Sequence, residues 1–185
     1  MLNLFNKGIG LQLLFLPFET NDKMKKIKLE QDFELYDSVN ELSEEDRNLI
    51  MEAGKAAKNA YAPYSKFHVG AALLLENGVI VRGNNQENAA YPSGLCAERV
   101  ALFAASANNI GIGIKAIAIT AYSELKTSHM QAVSPCGSCR QVMAEYEHLY
   151  RHNIRVIMEA EDGKYIVSSS VSQLLPYTFN ADHIL

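Results

Sequence analysis

The sequence predicts an α/β fold in which helices cover a mixed β-sheet. Segments of helical character alternate along the chain with short apolar runs of strand length. Two turn signals, Asn77-Gly78 and Asp162-Gly163, each lie between a pair of such runs. Because these dipeptides tolerate the positive φ of tight turns, each predicts a β-hairpin.

The first helix is predicted to begin at Ser43, since Ser43-Glu44-Glu45-Asp46 resembles a capping box. Helical spacing of apolar residues then continues to about Tyr61, before Pro63 breaks it. Pro135 is predicted to open a later helix. The other elements follow in order: strands at 68–75 and 79–83, a helix at 95–107, a strand at 115–121, a helix from 135 to about 148, strands at 154–160 and 164–169, and a helical turn at 171–175.

The first 23 residues differ in character from the rest of the chain. They contain an apolar run from Leu11 to Phe18, one preceding lysine and no evident signal-peptidase site. We interpret residues 1–23 as an extension that is disordered or not native, with Met24 as the natural start, against the alternative of a weak secretory signal. The domain is therefore assigned to residues 24–185, with the folded part beginning near Ser43.

Composition excludes several classes of protein. The 185 residues carry 17 Lys and Arg against 21 Asp and Glu, a net charge of −4. Such a chain lacks the basic field that nucleic-acid binding needs, and no apolar run approaches the ~20 residues of a membrane span. Three cysteines are too few for a disulfide scaffold, which favours thiol or metal chemistry in a reducing cytoplasm.

All three cysteines lie in two short motifs, Cys96-Ala97-Glu98 and Pro135-Cys136-Gly137-Ser138-Cys139. Each motif falls at a predicted helix N-terminus, where negative charge is favoured. Three thiolates could bind one Zn²⁺ and leave the fourth tetrahedral position to water, as in catalytic zinc sites. The alternatives are buried structural cysteines or a redox dithiol. Neither explains the nearby glutamate, and the two motifs together match the signature of zinc deaminases.

Two arginines lie close to these motifs. Arg99 follows Cys96 by one helical turn, and Arg140 directly follows Cys139. Either could hydrogen-bond the sulfurs and reduce the cost of burying their negative charge. We favour this role for Arg99 and leave Arg140 open between this role and a solvated surface position.

The sequence resembles the small homotetrameric cytidine deaminases from about residue 44 to 180. The resemblance rests on the segments YAPYSKFHVGAALL, GNNQENAAYPSGLCAERVAL, SPCGSCRQVM and LLPYTF, which occur in the family's order and spacing. It implies a three-layer fold with a mixed five-stranded sheet. It also implies zinc-dependent hydrolysis of cytidine and deoxycytidine to uridine, deoxyuridine and ammonia in pyrimidine salvage, with one zinc per chain.

The same resemblance implies roles for individual residues. Cys96, Cys136 and Cys139 would bind the zinc, and Glu98 would carry protons to N3 and to the departing amine. Further positions would contact the nucleoside: Asn85 and Glu87 at the ribose, Phe67 at the pyrimidine, and Ala89, Tyr91 and a neighbouring subunit's Phe179 around a shared site. Structural roles are the alternatives, core aromatics for Phe67 and Tyr91, a terminal contact for Phe179 and turn capping for Asn85 and Glu87.

One residue departs from the family pattern. His68 stands where many relatives have proline after the pocket phenylalanine, and we expect a partly exposed polar side chain there. The departure bears on the fine shape of the pocket.

Three other functions would also be compatible with a zinc-binding cysteine cluster. A deaminase of a modified nucleoside, such as a blasticidin-type antibiotic, is disfavoured by Asn85 and Glu87, which suit an unmodified ribose. A deaminase of tRNA or single-stranded DNA is disfavoured because the chain lacks a basic, aromatic channel. A structural zinc protein would need a fourth ligand, and neither His129 nor His148 has recognisable ligand spacing.

Overall fold

A computed structural model describes residues 24–125 and 133–184, which form one mixed sheet between two layers of helix. Helix α1 (Glu44–Ala57) lies on one face, and α2 (Ala97–Asn108) and α3 (Gly137–Tyr150) lie on the other. The strands are β1 (Glu34–Tyr36), β2 (Phe67–Leu75), β3 (Ile80–Asn84), β4 (Ile114–Ser123), β5 (Arg155–Glu159) and β6 (Tyr165–Ser168). Short 3₁₀ turns occupy Val39–Glu41, Tyr91–Ser93, Glu161–Gly163, Val171–Gln173 and Ala181–His183. The predicted three-layer α/β class is confirmed.

The strands are ordered β1-β6-β5-β4-β2-β3 across the sheet. Strands β4 and β5 are parallel and joined through α3, whereas every other neighbouring pair is antiparallel. Both predicted hairpins form, β2–β3 around Gly78 and β5–β6 around Asp162 and Gly163, all at positive φ. The parallel crossover brings the start of α3 to the end of β4, close to the start of α2.

Buried strand residues alternate between the two faces, and each face has its own apolar core. Ala72, Leu74 and Ala118 pack beneath α1, whereas Leu73, Ile117 and Ile119 pack beneath α2 and α3. The central strands therefore read as continuous apolar runs, since both of their faces are covered.

Among residues 24–125 and 133–184 the sheet has six strands, so the expected count of five is wrong. The additional strand, β1, pairs antiparallel with β6 through Leu35 and Ile166 and covers that edge of the sheet. It precedes Ser43, where the folded part was expected to begin. Three residues are too few to show the period-2 pattern by which a strand is recognised.

The helix starts agree with the sequence in one case and differ in the other. Ser43 caps α1, its hydroxyl accepting a hydrogen bond from the Asp46 amide at 3.1 Å. Pro135 was expected to open α3, but Cys136 is the N-cap and the helix begins at Gly137. The proline therefore lies just outside the helix.

Two glycines allow helices to approach the sheet closely. A Cβ on Gly70 would collide with the α1 backbone at Ala53 and Ala57, and one on Gly83 would collide with the α2 backbone at Ala97 and Ala101. The contact at Gly83 matters for function because it seats the first turn of α2, which carries Glu98.

Within the described ranges, no helix combines the length and the apolar character needed to cross a bilayer. The extension assigned to residues 1–23 and the side chain of His129 lie outside the described residues.

Replacing Gly83 with alanine should destabilise the fold. The added methyl has no space against the α2 backbone, and overpacking of this kind costs about 1–3 kcal/mol of unfolding free energy. Gly54, inside α1, has no neighbour within 4 Å of an added Cβ and is the matched control. Gly54→Ala should leave stability unchanged or raise it by up to about 1 kcal/mol. Urea denaturation measures both, and equal stability of the two variants would contradict the close-packing account.

Candidate active site

Two helix N-termini supply the three thiols. Cys96 is the N-cap of α2 and Cys136 is the N-cap of α3, both with extended backbone. Neither side chain makes a capping hydrogen bond to its own helix. Cys139 lies one turn into α3 and is fully buried. The sulfurs are thus free to face one another at helix ends that favour negative charge.

The sulfur positions fit a single tetrahedral zinc ion. The Cys96 and Cys136 sulfurs are 3.8 Å apart, those of Cys136 and Cys139 are 3.4 Å apart, and all three lie within 4.8 Å of one another. Thiolates bound at ~2.3 Å to one tetrahedral ion would lie about 3.8 Å apart. Within the described residues this is the one cluster of three His, Cys, Asp or Glu side chains that could hold a metal.

The cluster favours ionisation of one thiol. The hydrogen bond with Cys139, assisted by those of Arg99 and Cys136, lowers the pKa of the Cys96 thiol to about 5. The same contact with Cys96, together with burial, raises the pKa of the Cys139 thiol above its ordinary value. The Arg99 Nη2 donates to the Cys96 sulfur at 3.6 Å, and this contact raises the pKa of the guanidinium. Arg99 therefore faces the charge that the cluster develops.

Glu98 lies two residues beyond Cys96 in the first turn of α2 and is only 4% exposed. Burial raises the pKa of its carboxyl, and the nearby Cys96 thiolate raises it further. Hydrogen bonds from its own backbone N–H and from the Cys139 thiol act in the opposite direction. A carboxyl in these surroundings is easier to protonate than an exposed one, which suits a group that both accepts and donates a proton.

A cavity of about 710 Å³ opens beside the thiols. Cys96, Glu98 and Arg99 form part of its wall. The rest of the wall comes from the turn before β2, from β2, from the segment after β3 and from the approach to α3, including Tyr64, Phe67, Val69, Asn85, Glu87, Tyr91, Leu95, Val133 and Ser134. The cavity is large enough for a small organic molecule whose reacting end would lie near Glu98.

Asn85 and Glu87 lie in the cavity wall, and both are also bound to the backbone. The Asn85 amide accepts from Val69 N at 2.8 Å and donates to Phe67 O at 2.9 Å. Glu87 accepts from the Tyr64 and Ser65 amides, and hydrogen bonding, chiefly from the Ser65 side chain, lowers the pKa of its carboxyl. An amide can make up to four hydrogen bonds, so Asn85 keeps capacity for a ligand.

The aromatic residues of the expected site fall into two groups. Phe67 and Tyr91 line the cavity, and Tyr91 packs edge-on against Tyr64 with ring centroids 6.2 Å apart. Ala89 is exposed beside Asn88, which also lines the cavity. Phe179 is not among the described residues that line the cavity. It is 58% exposed, stacks on His183, and its carbonyl accepts from the Gln141 side chain at 2.7 Å.

Two arrangements differ from what the sequence led us to expect. His68 is buried, not partly exposed, because Tyr122 lies directly opposite on β4 and stacks on its ring. Arg140, left open above, donates to the Pro135 and Leu174 carbonyls and to the Ser134 hydroxyl. It therefore fixes the backbone that leads into Cys136. Nothing in the local sequence distinguishes this arrangement from a sulfur contact.

His148, considered above as a fourth ligand, lies away from the thiol cluster. Its Nε2 is 3.8 Å from a carboxylate oxygen of Asp182, near the C-terminal end of the chain.

Comparison with known proteins gives the chain its family. The sequence profile of the cytidine and deoxycytidylate deaminase zinc-binding region matches residues 43–152. The chain belongs to this deaminase family. All three cysteines and Glu98 fall within the matched region, so the zinc-binding chemistry inferred from the sulfur geometry agrees with that of the family.

Individual deaminases resemble the chain over most of their length. The cytidine deaminase of Sporosarcina psychrophila is 41% identical over 74% of this chain and 92% of its own length. That of Halalkalibacterium halodurans is 44% identical over 72% and 93%. The crystal structure of cytidine deaminase from Burkholderia pseudomallei superposes with a TM-score of 0.61 at 39% identity, covering 71% of this chain and 97% of that one.

Proposed function

We propose that this protein hydrolyses cytidine and deoxycytidine to uridine and deoxyuridine, releasing ammonia. The single observation that supports it most strongly is the cluster of three sulfurs close to buried Glu98, with Cys96 and Glu98 in the wall of one cavity. The relatives described above carry the name cytidine deaminase. Free thiols in the site suit a reducing compartment, and we place the enzyme in the cytoplasm.

Cys96, Cys136 and Cys139 would hold the zinc. Bound zinc supplies one piece of chemistry, a water acidic enough to act as a nucleophile at neutral pH. Arg99, which donates to the Cys96 sulfur, would offset part of the negative charge that three thiolates bring into the site.

Glu98 would move the protons of the reaction. Its carboxylate accepts a proton from the attacking water and donates it to N3 of the base, which makes C4 more electrophilic. The C4–O bond forms, and Glu98 then takes the remaining proton from the new C4 hydroxyl. The C4–N bond breaks as Glu98 transfers this second proton to the departing amine, which leaves as ammonia, and C4 keeps its oxygen as the carbonyl of uridine. The raised pKa of this buried carboxyl assists both donations.

The rest of the cavity would recognise the nucleoside. Phe67 would pack on the pyrimidine, and Asn85 and Glu87 would bind sugar hydroxyls with the hydrogen-bonding capacity that the backbone leaves free. Tyr91 and Ala89 would lie close to the sugar end. A polar pair of this kind favours a nucleoside over free cytosine, because the base alone would leave the pair unsatisfied.

We further propose a homotetramer with shared active sites. Phe179 is largely exposed and lies outside the cavity of its own chain, yet its backbone is held to α3 through Gln141. An anchored and exposed aromatic side chain of this kind suits a contact with a neighbouring subunit's site.

Glu98→Gln should abolish turnover while the protein keeps its zinc. The amide preserves shape but cannot shuttle a proton, and we expect kcat to fall by about 10³-fold or more. The loss of cytidine absorbance measures turnover, and elemental analysis measures zinc. Glu145→Gln, at an exposed position on α3, is the matched control and should behave as the unmodified protein.

Substrate choice is read in the same assay with cytidine, deoxycytidine, cytosine and blasticidin S. Turnover of both nucleosides without cytosine supports the proposal, whereas turnover of blasticidin S alone would replace it. Glu98→Gln with a kcat within tenfold of the unmodified enzyme would overturn the role given to Glu98.

The shared site can be tested by mixing two defects. Phe179→Ala should raise KM about fivefold, because an aromatic contact contributes about 1 kcal/mol. Co-expression with Glu98→Gln chains, which retain Phe179, should restore sites of normal KM. All activity in the mixture comes from Phe179→Ala chains, so a normal KM requires Phe179 from a neighbour. A mixture that keeps only the raised KM would contradict the sharing.

A further inference from the structure

His68 lies on the face of β2 opposite the cavity and is 9% exposed. Its ring stacks almost parallel on Tyr122, at 4.7 Å between centroids and 5° between planes. Its Nε2 is 2.9 Å from Glu124 Oε1, just beyond the end of β4. Its Nδ1 is buried and has no hydrogen-bond partner within the part of the chain that the structure describes. The stacking and the Glu124 contact therefore fix the orientation of the ring.

The two neighbours of His68 form part of the cavity wall. The side chains of Phe67 and Val69 line the cavity from the other face of β2. The Asn85 side chain spans the same three residues, since it donates to Phe67 O and accepts from Val69 N. The direction of the Asn85 amide is thus set by the peptide groups on either side of His68.

The end of β4 is fastened to the same stretch of chain. The Glu124 amide donates to Lys66 O at 3.0 Å, so Glu124 holds this region through its backbone as well as through its carboxylate. His68 and Glu124 therefore hold, from behind the sheet, the backbone to which the Asn85 side chain is bound.

We infer that His68, through its contact with Glu124, is a positioning residue that holds the Phe67–Val69 segment and thereby aims the Asn85 amide at the sugar of the substrate. The inference rests on the proposed function, because it names the part of that site that His68 serves. His68 is not among the described residues that line the cavity, and it acts through the backbone of β2. Its loss should weaken nucleoside binding and leave the chemical step unchanged.

Substitutions that separate the ring from its hydrogen bond provide the test. His68→Phe keeps a stacked ring and the buried volume but cannot donate to Glu124. Glu124→Ala removes the acceptor at a half-exposed position and so tests the same contact with less risk to folding. His68→Gln retains an N–H donor that can reach Glu124. The measurements are kcat and KM for cytidine, the Kd of uridine by calorimetry, and the thermal midpoint.

We expect His68→Phe and Glu124→Ala each to raise KM for cytidine and Kd for uridine about fivefold, with kcat within twofold of the unmodified enzyme. The double variant should be no worse than either single one, because both remove one contact. His68→Gln should stay within twofold. His152→Phe is the control, since it removes a contact with Glu76 beyond the opposite end of β2 and should leave KM unchanged.

The results that would overturn the inference differ from those that would overturn the proposed function. Unchanged KM and Kd in both single variants, with or without a lower thermal midpoint, would reduce His68 to a structural residue and overturn the inference, as would effects that add in the double variant. An unmodified protein that neither deaminates cytidine nor binds uridine would overturn the proposed function, and the inference with it.

Discussion

The meeting of three sulfurs from two helix N-termini is the constraint on which the rest of the structure depends. Cys96 caps α2 and Cys136 caps α3. Their sulfurs meet because both helices lie on one face of the sheet and begin near the end of β4. The parallel β4–β5 crossover sets the start of α3, and the close contact at Gly83 sets the start of α2. The two helix N-termini and the Arg99 guanidinium stabilise the negative charge of the sulfurs in this partly buried site.

The same arrangement raises the pKa of the Glu98 carboxyl. The first turn of α2 that presents Cys96 also buries the carboxyl two residues later, next to a thiolate. Burial and like charge raise its pKa, which suits a carboxyl that transfers protons. Residues of β2 and of the segment after β3 form much of the remaining cavity wall. There the Asn85 side chain is hydrogen-bonded to the β2 backbone. Metal site, proton carrier and recognition surface thus depend on the same few backbone contacts.

Much of the fold and of the metal site could be predicted from the sequence, because the motifs that specify them are each contained within a few consecutive residues. Asn77-Gly78 and the capping serine at position 43 specify their own turn and helix start, and the spacing of the cysteines identifies a metal site. What could not be predicted depends on contacts distant in sequence. The three-residue β1 is recognised by its pairing with β6, and His68 is buried against Tyr122, which lies opposite it on β4. Arg140 likewise binds carbonyls that approach it through the tertiary fold.

The most direct test of the central claim is a zinc titration of metal-stripped protein, followed by the loss of cytidine absorbance. We expect no turnover without metal, then activity that rises in proportion to added zinc and reaches its plateau at one equivalent per chain. This result would show that the cluster of Cys96, Cys136 and Cys139 supports the reaction beside Glu98. Full activity in the stripped protein, or no cytidine turnover at any zinc level, would contradict it.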